Sequence, residues 1–250
     1  MKRIRFVPSN RAINHALMPP QPAKMYMPEW YRKSEMFISK KTGMTTDKND
    51  PDLSGGLKSC VPFLDAMISG YMMTTWHDIN VITDDYGTNF DYVRFNQRIN
   101  DYETLPPSEI VSIVGERKGD SGAMMPRPAG HMQNHFIWRS EWGIRLPRGW
   151  SLMVTHPYNR FDLPFTTVTG FVDSDKFWTN GNLPFFLKEG FNGIIPAGTP
   201  FAQLIPVKRQ SWIAYSSIFS HKYARHLGDE ARAVKYGYYR ENNWDKKSYR

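Results

Sequence analysis

The stretch GIIPAGTPFAQLIP, residues 193–206, decides the fold class. Two apolar runs, 193–195 and 201–206, flank the turn Pro196-Ala197-Gly198, where proline and glycine favour a tight reversal of the chain. In the second run Phe201 and Leu204 stand on either side of the Ala202-Gln203 step, which we interpret as a strand with one buried face. The stretch therefore predicts two strands joined by a tight turn.

The same succession of short apolar runs and turn formers extends over residues 135–215. Turn signals such as Pro147-Arg148-Gly149 separate the runs. Many short strands at regular spacing favour a sandwich or a barrel-like pair of sheets, so the fold class is predicted to be mainly β. The predicted strands of this region are 136–138, 143–146, 151–155, 165–171, 185–187, 193–195, 201–206 and 212–215. Further short strands are predicted before it, at 71–75, 78–83, 90–95 and 110–114.

Helical spacing is confined to short stretches. Apolar residues recur three or four positions apart between residues 219 and 234, which predicts a C-terminal amphipathic helix with Gly237 as its stop. A short helix is predicted to begin at Cys60, and another over 29–33, where Pro28 suits a helix start.

These patterns divide the chain into three segments. Residues 1–58 form a proline-rich basic arm followed by a surface loop, because five prolines before residue 29 forbid a long helix and 42–58 are rich in turn formers. Residues 59–215 form the β-rich core domain, and residues 216–250 form the helix and an aromatic, basic tail. The predicted architecture is a β core with an extended N-terminal arm and a C-terminal amphipathic helix.

Composition excludes several classes of protein. The 250 residues contain one cysteine, which rules out an internal disulfide framework and cysteine-rich zinc sites. The longest apolar runs fall far below the roughly 20 residues that cross a bilayer, and the basic start has no apolar stretch behind it, so we expect neither a membrane span nor a secretory signal. No catalytic residue, metal site or cofactor is predicted.

The net charge of +8 is unevenly distributed. Residues 1–41 carry +7, residues 42–207 carry −5, and residues 208–250 carry +6. Basic ends around an acidic body favour contact between subunits, with nucleic-acid binding as the alternative. Tyrosine and tryptophan dominate protein interfaces, so we predict that the ends mediate assembly. The candidate interface residues are Trp30, Tyr31, Tyr236, Tyr238, Tyr239, Trp244 and Tyr249.

Three groups of polar residues are candidate sites. His131 and His135 could hold a metal on a helix, but the prolines before them favour two loop histidines. His156, Asn159 and Arg160 cluster with Asp162 in one turn, which is either an anion site or a salt-bridged structural turn. Asp173 and Asp175 point the same way if their segment is a strand, and they are either functional carboxylates or ordinary loop aspartates.

The β region resembles the trimeric dUTPases and the related dCTP deaminases. Pro147-Arg148-Gly149-Trp150 opens a strand as their P-x-G-y segment does, and Gly170-Phe171-Val172-Asp173-Ser174-Asp175 is similar to their G-V-I-D-S-D segment. Ile195 to Ile205 is similar to their i-x-x-G-x-x-I-A-Q-L-I segment. The match falls within 142–206 and covers about 60 of the 250 residues. It implies a β-clip, a distorted jelly roll that commonly forms trimers.

The resemblance also implies a ligand pocket. The turn at His156, Asn159 and Arg160 lies where those enzymes hold phosphate, and Asp173 matches their sugar-contacting position. Together with Asp175 and Gln203, these residues form a candidate ligand or anion pocket. The catalytic segments depart from the family, because Thr155-His156-Pro157 replaces R-S-G and the glycine-rich C-terminal motif is absent. Without those donors for three phosphates, we predict that the chain does not hydrolyse dUTP.

A second resemblance covers more of the chain. Pro22 to Tyr31, Cys60 to Met67 and Trp142 to Ser151 are similar to segments of a family of tailed-bacteriophage proteins that has no assigned activity. It implies a phage origin and leaves the biochemical role open. The proline-rich start, the aromatic tail and the split charge favour a virion structural or assembly protein that forms oligomers through its terminal arms. Its expected partners are copies of itself and other virion proteins, assembled in the cytoplasm of the host bacterium. The alternative is a dUTPase-related protein that binds or hydrolyses a nucleotide.

Overall fold

The computed structural model of the chain describes residues 2–9, 17–39, 52–84, 87–91, 113–116, 125–216, 221–233 and 237–250. It divides into two compact units. Unit 1 comprises Met1–Ala23 and Gly70–Arg209, and unit 2 comprises Lys24–Ser69 and Gln210–Arg250. These boundaries differ from the predicted ones at 58/59 and 215/216.

The mainly-β class is confirmed. Unit 1 contains fourteen of the described strands, all paired antiparallel. Their bounds are β1 Arg5–Pro8, β2 Gln21–Pro22, β5 Tyr71–Thr74, β6 Ile79–Asp84, β7 Gly87–Asp91, β8 Val114–Glu116, β9 His131–Arg139, β10 Trp142–Arg145, β11 Trp150–Thr155, β12 Phe165–Thr167, β13 Gly170–Val172, β14 Asn182–Lys188, β15 Gly193–Ile195 and β16 Pro200–Lys208. The remaining two, β3 Phe37–Ser39 and β4 Leu53–Gly55, lie in unit 2.

The strands of unit 1 form four sheets. Sheet I has five strands in the order β13-β11-β16-β5-β2, and sheet II has four in the order β12-β14-β9-β8. A three-stranded sheet, β15-β6-β7, and the pair β1-β10 complete the unit. Among the described strands no sheet closes into a barrel.

An aromatic core joins sheets I and II. Trp138 of sheet II is fully buried and stacks on Phe185 with ring centroids 3.9 Å apart. Its ring also lies 5.0 Å from that of Phe201 in sheet I. The indole Nε1–H donates to Thr167 Oγ1 at 3.1 Å, and the Thr167 hydroxyl donates to the Phe201 carbonyl at 2.5 Å. The buried indole N–H is therefore satisfied.

The start of the chain is built into unit 1. Strand β1 pairs with β10 from Arg5↔Arg145 to Pro8↔Trp142, and β2 pairs with the edge of β5. Both strands lie at sheet edges, where a proline without an N–H is tolerated. The prolines that argue against a long helix thus permit short edge strands, and these residues do not form a separate arm.

The described part of unit 2 contains α-helices and the β3–β4 pair, and its segments 211–216 and 243–250 form neither helix nor strand. Its helices are α1 Glu29–Lys33, α2 Val61–Ile68, α3 His221–Ala233 and α4 Tyr238–Asn242. The predictions of α1, α2 and the C-terminal helix α3 are confirmed, with Gly237 in a left-handed conformation before α4. The predicted loop 42–58 is wrong at 53–55, because these residues form β4 and pair with β3; residues 42–51 lie outside the described part.

Two strand predictions are wrong. The run 165–171 is split: β12 pairs with β14 in sheet II, and β13 pairs with β11 in sheet I. The chain changes sheets at 168–169, so no single ladder can hold the whole run. Residues 212–215 form no strand, although their composition favours one. The predicted 110–114 strand is seen only from Val114, where β8 begins, since 110–112 lie outside the described residues.

Candidate functional site

Three segments of unit 1 meet at the start of β11. They are the turn Pro147–Trp150, which precedes and opens β11, the turn after β13 and the residue after β16. The backbone N–H of Trp150 donates to the Pro147 carbonyl at 3.2 Å, with Gly149 at φ 82°. Glycine adopts this conformation without strain, so the turn places Arg148 at its tip.

Asp173 and Asp175 lie in the turn after β13, and both are bound by Arg209. Arg209 Nη1 donates to Asp175 Oδ1 at 2.8 Å, and Nη2 donates to Asp175 Oδ2. The same Nη1 lies 2.9 Å from Asp173 Oδ1. Ser151 Oγ donates to Asp173 Oδ1 at 2.7 Å, and the Gly149 N–H donates to Asp175 Oδ2 at 2.8 Å. We call these five residues the Arg209 cluster.

The cluster keeps both carboxylates ionised. Hydrogen bonds from Arg209 and from the Gly149 N–H lower the pKa of Asp175 to about 2. The hydrogen bond from Ser151, with that from Arg209, lowers the pKa of Asp173. Carboxylates with such low pKa values are poor proton acceptors at neutral pH. The arrangement can fix the turn and hold charge, but it is not suited to acid–base catalysis.

An open cavity of about 680 Å³ lies beside the Arg209 cluster. Four basic side chains and one acidic side chain line it, together with Leu146, Pro147 and Gly149. The charged lining residues are Arg145, Arg148, Lys176, Arg209 and Asp175.

The turn that holds His156 forms a separate structure at the other end of β11. His156 Nδ1 accepts the Thr167 N–H at 3.3 Å, so Nε2 carries the proton and donates to the Arg160 carbonyl at 3.2 Å. Burial lowers the pKa of His156, which favours this neutral form. Asn159 adopts φ 60°, in the left-handed region that asparagine tolerates.

The cationic group of this turn is already paired. Arg160 forms two short hydrogen bonds with Asp162, at 2.9 and 2.7 Å, and its side chain is 14 % exposed. Burial raises the pKa of Asp162, but the hydrogen bonds and charge of Arg160 outweigh this effect and lower it. Gln203 is fully buried, and its Oε1 accepts the Tyr158 N–H at 2.9 Å. These contacts brace the turn against β16.

The structure therefore separates the predicted pocket into two places. Asp173 and Asp175, in the turn after β13, lie beside the start of β11. His156, Asn159, Arg160 and Gln203 lie beside the end of β11. Four residue steps along a strand span about 13 Å, so one small ligand cannot easily contact both groups. Sequence reasoning missed Arg209, Arg145, Arg148 and Lys176 as site residues. The signals were that Arg145 lies in the predicted strand 143–146 and Arg148 in the predicted turn Pro147-Arg148-Gly149; no signal marked Lys176 or Arg209.

The two histidines considered as metal ligands lie on β9, not in a loop. They are four residues apart on a strand and therefore on one face. Both are buried: His131 Nε2 lies 2.9 Å from Thr166 Oγ1, and the ring of His135 lies 5.8 Å from that of Phe186. Within the described part of the chain, no three His, Cys, Asp or Glu residues are placed to hold a metal ion.

The candidate interface residues differ in exposure. Tyr31 is 3 % exposed and stacks on Phe63 at 6.1 Å, so it belongs to the core of unit 2. Trp30 and Tyr239 are 37 % and 46 % exposed. Trp244 Nε1 donates to Asp65 Oδ2 at 2.9 Å. Tyr238 and Tyr249 are half-buried, and Tyr236 lies outside the described residues.

More exposed large apolar residues lie elsewhere. Trp212, Ile213 and Tyr215 are 81 %, 92 % and 86 % exposed, in the segment 211–216 that forms neither helix nor strand. In unit 1, Phe171, Phe177 and Trp178 are 65 %, 63 % and 39 % exposed.

No protein-family model matches the chain, and no curated protein matches it significantly. The helices of the described residues include none that is long and apolar enough to span a membrane.

Proposed function

We propose that the protein is a structural or assembly subunit of a tailed-bacteriophage virion, and that it associates with copies of itself through the segment 211–216. The observation that carries the proposal is the exposure of Trp212, Ile213 and Tyr215 in that segment. Burial of apolar surface stabilises an assembly by about 25 cal/mol per Å², so three such side chains favour a partner surface.

The segment has the composition of a strand but is not paired with any strand in the described part of the chain. Its tryptophan, isoleucine and tyrosine favour an extended backbone, and none of the described strands pairs with it. An extended segment with unpaired backbone groups and large apolar side chains is suited to adding to a sheet of another molecule. A second copy is the partner we infer, because the β-clip proteins that the core resembles commonly form trimers.

Contacts within the chain support placing the proposed assembly contact at 211–216 rather than at the two ends. Strands β1 and β2 are paired within unit 1, and Trp244 and Lys247 both bind Asp65 within unit 2. Among the large apolar side chains in the described part of unit 2, those of Trp212, Ile213 and Tyr215 are the most exposed. The assembly contact is therefore assigned to this segment rather than to residues 1–41.

The virion assignment rests on the resemblance of 22–31, 60–67 and 142–151 to the phage family. Other virion proteins are further partners in this proposal, and assembly takes place in the host bacterial cytoplasm. The dUTPase-related alternative has weaker support. Asp173, the counterpart of the sugar-contacting residue, is bound by Ser151 and Arg209, and Arg160 is paired with Asp162.

The test is to express a tagged copy of the chain in infected host cells, purify mature particles and identify their proteins by mass spectrometry. We expect the chain in the particles at a fixed ratio to the other structural proteins. A variant with Trp212, Ile213 and Tyr215 each replaced by serine should fold but stay out of the particles. Particles that lack the wild-type chain would contradict the proposal.

A further inference from the structure

The open cavity beside the Arg209 cluster presents cations that its own carboxylates do not neutralise. Asp173 and Asp175 are both bound to Arg209. Arg145, Arg148 and Lys176 line the same cavity and are exposed at the surface. Within the part of the chain that the structure describes, no hydrogen bond or ion pair engages the side chains of Arg148 and Lys176. The lining thus has a positive excess that favours a polyanion.

Two turns hold these cations in place. Arg148 lies at the tip of the Pro147–Trp150 turn, which the Gly149 N–H anchors to Asp175. Lys176 lies in the turn after β13, where its own N–H donates to the Asp173 carbonyl at 2.8 Å. The Arg209 cluster therefore links both turns, although its charged groups are themselves paired. In this arrangement the Arg209 cluster holds the two turns in position, and Arg148 and Lys176 contact the ligand.

Exposed aromatic rings adjoin the cations. The guanidinium of Arg145 lies over the ring of Trp178, 5.7 Å from its centroid. Trp178 is held against β10, because Gly143 has no side chain that would collide with the Trp178 carbonyl. Phe177 directly follows Lys176 and is 63 % exposed, and Phe171 on edge strand β13 is 65 % exposed. Arg145 and Trp178 therefore lie on one surface of unit 1, and the exposed Phe177 stands between Lys176 and Trp178 in the sequence.

We propose that this surface, formed by Arg145, Arg148, Lys176, Phe177 and Trp178, binds single-stranded nucleic acid. Cations would contact the phosphodiester backbone, and the exposed rings would stack on bases. The cavity is open rather than enclosed, which suits a chain passing across it better than a small free ligand. An acidic protein segment would use the cations but would gain little from the exposed rings of Phe177 and Trp178.

The test is fluorescence anisotropy with a labelled oligothymidylate of about twelve nucleotides, titrated at several salt concentrations. The wild-type protein should bind, with log affinity falling linearly with log salt. The double variant Arg148→Ser/Lys176→Ser should bind more weakly, and its salt slope should be smaller by about 1.4, or about 0.7 for each lost phosphate contact. The variant Phe177→Ala/Trp178→Ala should bind about five-fold or more weakly with an unchanged slope.

The matched control is Lys222→Ser/Arg225→Ser, which removes one lysine and one arginine from exposed positions of α3. It should keep the wild-type slope. The proposal would be overturned if the salt slope of this control fell as much as that of Arg148→Ser/Lys176→Ser, because binding would then follow net charge alone. Competition by inorganic triphosphate or polyglutamate as strong as that by unlabelled oligothymidylate would also overturn it. Circular dichroism and the urea unfolding midpoint of each variant check that it folds. If the double variant Arg148→Ser/Lys176→Ser does not fold, the single variants Arg148→Gln and Lys176→Gln are measured in its place.

Discussion

The guanidinium of Arg209 donates to both carboxylate oxygens of Asp175, a residue 34 positions earlier in the chain. The same carboxylate accepts the backbone N–H of Gly149. One ion pair thus ties together the end of β16, the turn after β13 and the turn before β11. The pairing requires an ionised carboxylate, which makes it sensitive to acid.

We expect acid to weaken unit 1 through Asp175. The pKa of Asp175 is about 2 in the folded protein and near 3.8 in the unfolded chain. The unfolded state therefore takes up protons first, so the stabilisation is complete above about pH 4 and is lost as the pH falls towards 2. Urea unfolding at pH 7, 4 and 2.5 would measure this. The Asp175→Asn variant should have a lower free energy of unfolding than the wild type at pH 7, and this free energy should fall less on acidification. If the variant kept the pH dependence of the wild type, the role of the Asp175–Arg209 pair would be refuted.

Gly70 is expected to be intolerant of a side chain for two reasons. Its φ is +74°, and a Cβ would collide with the Leu204 carbonyl oxygen. Gly190 has nearly the same φ, +72°, but open space around it, so it is the matched control. Gly190→Ala should cost about 1 kcal/mol of unfolding free energy from backbone strain alone. Gly70→Ala should cost clearly more in urea denaturation, and equal losses would show that the close approach to Leu204 is unimportant.

Thr167 is expected to contribute through its hydroxyl rather than its volume. The hydroxyl accepts from Trp138 Nε1 and donates to the Phe201 carbonyl, and all three groups are buried. Thr167→Val keeps the shape but leaves a buried donor and a buried acceptor unsatisfied, so we expect a loss of about 2 kcal/mol or more. Thr169→Val removes one hydrogen bond, between the exposed Thr169 and the buried Thr155 at 2.8 Å, and should cost less. Equal losses in thermal unfolding would contradict this reading of the core.

We expect the imidazole of His156 to have a pKa below the ordinary value for histidine. Burial lowers its pKa from 6.5, and its Nδ1 must stay unprotonated to accept the Thr167 N–H. Because the unfolded chain takes up the proton first, the stability contribution is complete above about pH 6.5 and falls as the pH drops below it. NMR titration of the imidazole should give a midpoint below 6.5, and His156→Gln should remove this part of the pH dependence. A midpoint at or above 6.5 would show that the ring is not held neutral.

The local elements could be predicted from the sequence, whereas the partners of the strands could not. Helix α1 follows from Pro28, and β15 from the apolar run before the Pro196-Ala197-Gly198 turn, because each depends on neighbouring residues. The division of 165–171 between two sheets depends on the registers of β12 with β14 and of β13 with β11, which local composition does not encode. The same limit explains why β1 and β2 were not expected to pair.

The candidate site shows the same division. Asp173 and Asp175 could be singled out by their motif, and the structure brings them together. Arg209 could not, because its approach depends on the pairing of Trp150 with Lys208 across β11 and β16. His156 and Arg160 lie in the turn after β11, whereas Ser151 lies near the start of that strand, so the length of β11 separates them from the aspartates.

The mass of the protein in solution, measured by analytical ultracentrifugation, tests the assembly proposal most directly. One chain has a mass of 29.1 kDa. We predict that the wild-type protein sediments as an oligomer and that the variant Trp212→Ser/Ile213→Ser/Tyr215→Ser sediments as a single folded chain. The control variant Met18→Ser/Phe161→Ser/Ile194→Ser, at positions 73 %, 77 % and 60 % exposed, should keep the wild-type mass. A wild-type protein that stays at 29.1 kDa, or a segment variant that keeps the mass of the oligomer, would contradict the proposal.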